Sequence, residues 1–340
     1  MTTHATAVSE AWVRALPKAE VHLHLEGCVP FEVIADAAAA SGRPPPVPVT
    51  DGVPEVASLG DLLSYLDWSC ALVAGPEQLE QAAYRICTRA RAAGAGHVDV
   101  IVNPTHWPRW QGRLEAMLDA LDAGFRAGEA DYGATSGLCV SLKRNQSRSE
   151  ALEVVDRLLE LAHPRVVALS IDGNEAGGRE SHNDRFAPAF ERAAAAGLRR
   201  CAHAGESSGA GGVREAIELL GAERIDHGIR CLEDASVTAL VASRGIPLDV
   251  CPSSNVVLGV VPALAAHPLP ELLARGVRCS INTDDPLLYG VDLAGEYHST
   301  AAAFGWGHVQ LAEMARVSIE SSFADEDRRR ELLRQLDAFT

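Results

Sequence analysis

Eight short apolar runs recur along the chain, each followed by a stretch with helical spacing, and this alternation limits the fold more than any other feature. The runs lie at 20–25, 97–102, 135–142, 166–171, 198–203, 224–227, 246–250 and 277–282. Between them stand segments rich in Ala, Leu, Glu and Arg, such as 149–161, 186–196, 212–220 and 235–243, each long enough to cross back over a parallel sheet. Eight such units predict a closed (β/α)8 barrel of the α/β class, a single domain over residues 1–340, and not an open doubly wound sheet. The one Gly-dense stretch, 205–212, lacks both the GxGxxG spacing and a Walker lysine, and reads as a flexible loop.

The first connection is too long for one helix. Residues 31–96 hold a helix at 31–41, a Pro-rich turn at 44–48, and further helical patterns at 59–74 and 77–93. An insertion after strand 1 would hang over the barrel mouth, with Leu62, Leu63, Leu66 and Trp68 either walling the site or only packing the insertion down. The tail after Leu293 reads as helical, with 325–330 as a solvated charged face.

Composition closes several alternatives. A formal charge of −16 would repel a nucleic acid, and no apolar run is long enough to span a bilayer. Residues 1–20 lack the pattern of a secretory leader, so a cytoplasmic protein without membrane contact is expected. The eight cysteines include no CxxC pair, which excludes a Cys-rich zinc site and predicts reduced core residues.

In a parallel barrel all the strand C-termini surround one mouth, so the residues at those ends are the candidates for chemistry. They are His22 and His24 on strand 1, His203 on strand 5, His227 on strand 6, and Asp284 with Asp285 after strand 8. His22 and His24 stand two apart and project to the same side. Three imidazoles and a carboxylate suit one Zn²⁺ per chain, held by His22, His24, His203 and Asp284, although iron, manganese or cobalt also fit such donors. A second ion usually needs a bridging group, and strand 4 ends in Ser170, Ile171, Asp172 and Gly173 without a lysine. Glu206, three residues after His203, is placed as a general acid, and His227 as the group that orients or deprotonates water. The bland alternatives are a solvated loop glutamate and a histidine satisfied in the core.

The motifs PKAEVHLHLEG (17–27), DGNE (172–175), HAGE (203–206), RIDHG (224–228), CPSSN (251–255) and NTDDP (282–286) stand in this order over most of the chain. In this the chain resembles the adenosine and adenine deaminase family of metal-dependent aminohydrolases, within the amidohydrolase superfamily. The resemblance implies the same four metal ligands, with Glu206 the proton donor to ring nitrogen 1 of a purine and His227 the water-orienting base. It also implies substrate contacts from His24, from Asp285 to ring nitrogen 7, and from the Gly173 N–H to ring nitrogen 3. CPSSN offers no obvious reagent and is read as a structural turn.

The implied reaction is hydrolytic deamination of a small-molecule 6-aminopurine, in which water activated at the ion adds to carbon 6, Glu206 protonates the ring and ammonia leaves. Adenosine or 2′-deoxyadenosine is the first expectation; the alternatives are free adenine or a 5′-modified nucleoside such as 6-aminodeoxyfutalosine. Glu26 stands where adenosine enzymes commonly carry Asp against the ribose, and Ile101 stands where an Arg is associated with them. A non-catalytic binding protein on the same barrel is the remaining alternative, and the intact set of acid, base and ligands argues against it.

Overall fold

The computed structural model describes residues 8–50, 53–176 and 183–340. Eight strands form one sheet in chain order, and every neighbouring pair runs parallel. They are β1 (Lys18–His24), β2 (Ala95–Val102), β3 (Thr135–Lys143), β4 (Val166–Asp172), β5 (Arg199–Ala204), β6 (Arg224–His227), β7 (Leu248–Val250) and β8 (Cys279–Ile281). The ring closes at its top, where Leu23 of β1 bridges in parallel to Asp284, just beyond β8. There the His24 N–H donates to the Asp284 carbonyl (2.9 Å) and the Asp284 N–H to the His22 carbonyl (3.1 Å). One step lower a side chain continues the seam, with the Val21 N–H donating to Asn282 Oδ1 at 2.8 Å.

Strand alternation sorts the core into two layers. On β2, Val98, Val100 and Val102 face outward into the large apolar layer under the helices, while Ile101 faces the barrel axis with Cys139, Ala168 and Cys201. Each buried Val or Leu contributes about 2 kcal/mol of transfer free energy, so the outer layer carries most of the hydrophobic stabilisation. Cys139, Ala168 and Cys201 are small, and the axis below the mouth is filled by an ion network instead. Buried Arg224 reaches Asp99 (2.5 Å) and Asp249 (3.0 Å), and its guanidinium lies 3.9 Å from the Phe323 ring, which plugs the barrel floor.

Local signals set the flanking helices. Helix Arg148–Leu161 starts at a capping box, in which Ser147 Oγ accepts from the Glu150 N–H and Glu150 Oε2 accepts from the Ser147 N–H. Helices Pro76–Ala93 and Leu114–Tyr132 lie close together because Gly124 has no side chain; a Cβ there would collide with the Glu80 backbone. Between β1 and β2 stand helices Phe31–Ser41, Leu59–Cys70 and Pro76–Ala93. The second gathers a separate apolar cluster of Val47, Leu62, Tyr65, Leu66 and Leu288.

The structure corrects three expectations. CPSSN is not a plain turn, since Pro252–Val257 is a short helix whose first residues reach into the barrel mouth. The stretch 205–212 is tied down and leads directly into helix Ala210–Glu218. The charged run 325–330 is not wholly solvated, because Arg328 turns inward onto the Gly96 and Gly133 carbonyls. All eight cysteines are free and buried, as expected.

Candidate metal-dependent active site

Parallel strands deliver His22 and His24 from β1, His203 from β5, His227 from β6 and Asp284 from beyond β8 to one point at the mouth. His203 Nε2 lies 3.1 Å from His22 Nε2 and 3.0 Å from His24 Nε2. Asp284 Oδ1 lies 3.3 Å from both His22 Nε2 and His24 Nε2. A ring nitrogen carries at most one proton and cannot satisfy two others facing it, so the cluster asks for a cation. Nitrogen and oxygen ligands around a tetrahedral Zn²⁺ sit about 3.3 Å apart, close to the spacings here. The outer ring nitrogens are oriented for that task. His22 Nδ1 donates to the Asp249 carbonyl (2.9 Å), which leaves Nε2 with its lone pair, and His203 Nδ1 lies 3.3 Å from Asp226 Oδ2. The donor set therefore fits a small divalent ion.

Backbone strain marks the same place. Among the described residues three non-glycines have positive φ, and two of them are His227 (+67°) and Asp284 (+63°). Such conformers cost on the order of 1–3 kcal/mol and are held here by the surrounding contacts. Gly27 permits a further close approach, because a Cβ there would overlap Asp285.

The pocket above the cluster is acidic on one side and apolar on the other. Glu26, Asp172, Glu206 and Asp285 face Leu59, Leu62, Leu63, Leu66 and Leu258. Leu62 and Leu66 thus both wall the pocket and pack the connection between β1 and β2. Trp68 does not reach the pocket and packs on Tyr65 instead, at 5.3 Å between ring centroids. Four buried oxygens, Glu26 Oε2, Asp172 Oδ2, Glu206 Oε1 and Asp285 Oδ1, have no hydrogen-bond partner among the described residues. Burial, with Asp284 and Glu175 alongside, holds Glu206 well above the usual carboxylate range. Burial and the charge of Asp284 do the same to Asp285. A carboxyl whose pKa is raised holds its proton more readily and can then donate it. Burial lifts Glu26 to about 7 despite the opposing influence of His106, Trp107 and Asn103. Burial, reinforced by His22, keeps His227 well below the ordinary histidine range.

Several residues that hold the site escape a reading of the sequence. Glu175 accepts from the N–H groups of Gly205 (2.6 Å), Glu206 (3.0 Å) and Ser207 (3.2 Å) and from Ser208 Oγ (2.5 Å), so one carboxylate anchors the loop that carries Glu206. Ser254 Oγ donates to Asp284 Oδ2 (2.7 Å), and Ser253 is fixed by Glu296. Glu26 Oε1 accepts from Trp107 Nε1 (2.7 Å) and the Asn103 N–H (2.8 Å), while Asn103 Nδ2 donates to Asp172 Oδ1 (2.5 Å). His106, also on the pocket wall, meets Asp67 of helix Leu59–Cys70 at 2.5 Å. The motifs DGNE and CPSSN and the run VIVNPTHW were the available signals, but each partner is distant in sequence.

The fold and this cluster define a barrel hydrolase of the metal-dependent kind. The family model for adenosine deaminase matches residues 17–339. An adenine deaminase of Geotalea uraniireducens is 34% identical over 332 residues, covering 95% of this chain and 91% of its own. The crystal structure of adenine deaminase from Arthrobacter aurescens superposes with a TM-score of 0.88 at 33% identity, covering 96% of this chain and 99% of its own. An amidohydrolase from Burkholderia ambifaria with bound Zn gives a TM-score of 0.88 at 26% identity, over 99% of this chain and 96% of its own. The chain belongs to the adenosine and adenine deaminase family of the amidohydrolase superfamily. It is a hydrolytic deaminase of small-molecule purines.

Proposed function

We propose that the protein deaminates free adenine to hypoxanthine, with zinc at the four-ligand site. The expectation of adenosine gives way to its alternative, and the carrying observation is the Glu26–Asn103–Asp172 group. Glu26 is locked by Trp107 and Asn103, Asp172 by Asn103, and both keep a buried oxygen without a partner among the described residues. With the Gly173 N–H on ring nitrogen 3, ring nitrogen 9 comes next around the purine edge, beside these carboxylates. Adenine carries a hydrogen there that satisfies a buried acceptor; a nucleoside carries a sugar carbon and leaves it unmatched. The adenine deaminases among the relatives support the same reading. The acidic wall and the net charge of −16 disfavour a phosphate ester such as AMP.

When bound by His22, His24, His203 and Asp284, the ion supplies Lewis acidity that makes water a competent nucleophile near neutral pH. The other steps belong to the chain. Protonated Glu206 gives its proton to ring nitrogen 1, which makes carbon 6 electrophilic and lets the ring accept the electron pair as water adds. Asp285 donates to ring nitrogen 7 and Gly173 to ring nitrogen 3, holding the ring in plane with Glu206. His227 orients the water. Loss of ammonia from carbon 6 completes the exchange of one amino group for one oxygen. Ammonia release from adenine, adenosine, 2′-deoxyadenosine, 5′-modified adenosines and AMP tests the proposal. Adenine is expected to have the highest kcat/KM, and a nucleoside ranking first would overturn it.

A further inference from the structure

A neutral imidazole donates from one ring nitrogen and accepts at the other. For His227 that choice decides whether Nε2, which lies 3.5 Å from Glu206 Oε1 and 3.9 Å from Asp284 Oδ2, offers a proton to the reacting centre or takes one.

A chain of buried groups makes the choice, beginning at a main-chain amide. The Leu269 N–H can only donate, and it lies 3.1 Å from His267 Nδ1, which is therefore the bare nitrogen. Burial holds the His267 pKa at about 4, so the ring is neutral and its hydrogen is on Nε2. That nitrogen faces Asn255 Oδ1 at 3.1 Å. The amide is thereby fixed with its oxygen toward His267 and its nitrogen toward His227, and Asn255 Nδ2 stands 3.4 Å from His227 Nδ1. An amide nitrogen can only donate, so His227 Nδ1 must accept. Two facing donors would likewise disfavour a doubly protonated His227. Asn255 is fully buried and His267 nearly so, and no bulk water competes for these bonds.

We infer that Asn255 and His267 are positioning residues that lock His227 as the Nε2–H tautomer, so that His227 enters the reaction as a hydrogen-bond donor and not as a proton acceptor. A fixed N–H stabilises negative charge developing on the oxygen that adds to carbon 6. This catalytic consequence rests on the deaminase reading, whereas the tautomer itself does not.

The test is nitrogen NMR of the metal-loaded enzyme with labelled histidine, the His227 signal being assigned by its loss in His227→Gln. Near neutral pH the wild type is expected to show His227 with hydrogen on Nε2 alone; hydrogen on Nδ1, or on both nitrogens, overturns the inference. Asn255→Asp keeps size and replaces the donor by an acceptor. It is expected to move hydrogen onto His227 Nδ1 and lower kcat by roughly 10²-fold, with KM changed less than about threefold and full metal content. An unchanged His227 signal in that variant also overturns it. If Asn255→Asp does not fold, His267→Phe removes the group that orients the amide, and a mixture of His227 tautomers is expected; retention of the single Nε2–H form counts against the inference. The spectrum requires no substrate, so an error in substrate assignment shows in the ammonia panel and leaves this result untouched.

Discussion

At the scale of single residues, the proposed reading gives metal binding and proton transfer to different side chains, which makes them separable. Glu206 is buried, is raised in pKa and stands outside the four-ligand set. Glu206→Gln is expected to retain full metal by elemental analysis while kcat falls about 10²–10⁴-fold. His203→Ala removes the imidazole that faces both His22 and His24, and that protein is expected to lose metal as well as activity. Full occupancy in the histidine variant, or metal loss in the glutamine one, would reverse the role assignments. The convergence of His22, His24, His203 and Asp284 was legible in the sequence because strand ends of a parallel barrel meet at one mouth, so HxH, HAGE and NTDDP needed no partner to be recognised. Glu175 and Ser254 were not. Each acts on residues about 30 positions away, and nothing in their local spacing announces it.

Elements were legible to within a few residues, and their edges were not. The last two strands run Leu248–Val250 and Cys279–Ile281, shorter than 246–250 and 277–282, while the second begins at Ala95 rather than residue 97. Apolar runs report burial, whereas strand limits are set by which neighbour still offers a main-chain partner. The helix Leu59–Cys70 shows what such contacts add. It presents Leu62, Leu63 and Leu66 to the pocket and is pinned at Asp67 by His106 (2.5 Å) and Lys143 (3.4 Å). Asp67 is half exposed, so the latch is worth about 0.5–1 kcal/mol. Asp67→Ala is expected to raise KM about two- to fivefold, with kcat changed less, in steady-state kinetics. A fall in kcat alone would mean that the helix does not shape binding.

For the whole molecule, the base of the barrel carries a pH dependence of its own. Lys18 is fully buried, with Nζ donating to the Val13 (2.7 Å) and Leu16 (3.0 Å) carbonyls, and burial lowers its pKa to about 7. In the unfolded chain the amine titrates near 10.4. Between those values the unfolded state binds more protons, so this residue makes stability rise with pH from about 7 to about 10. Urea titrations are expected to show that slope in the wild type and a flatter one in Lys18→Met; equal slopes would place the titration elsewhere. No helix among the described residues is long and apolar enough to cross a membrane.

The seam of the barrel and the bed of the proposed metal ligands are the same few residues. Leu23 bridges Asp284 while His22 and His24 on either side exchange main-chain hydrogen bonds with it, so the contact that closes the ring also brings in the fourth proposed ligand. A nascent chain that stops short of Asp284 has three of the proposed ligands and an open ring. An ion held by all four residues would therefore bind fully only when the two ends of the sheet meet, and would act as a clasp that rewards completion of the circle.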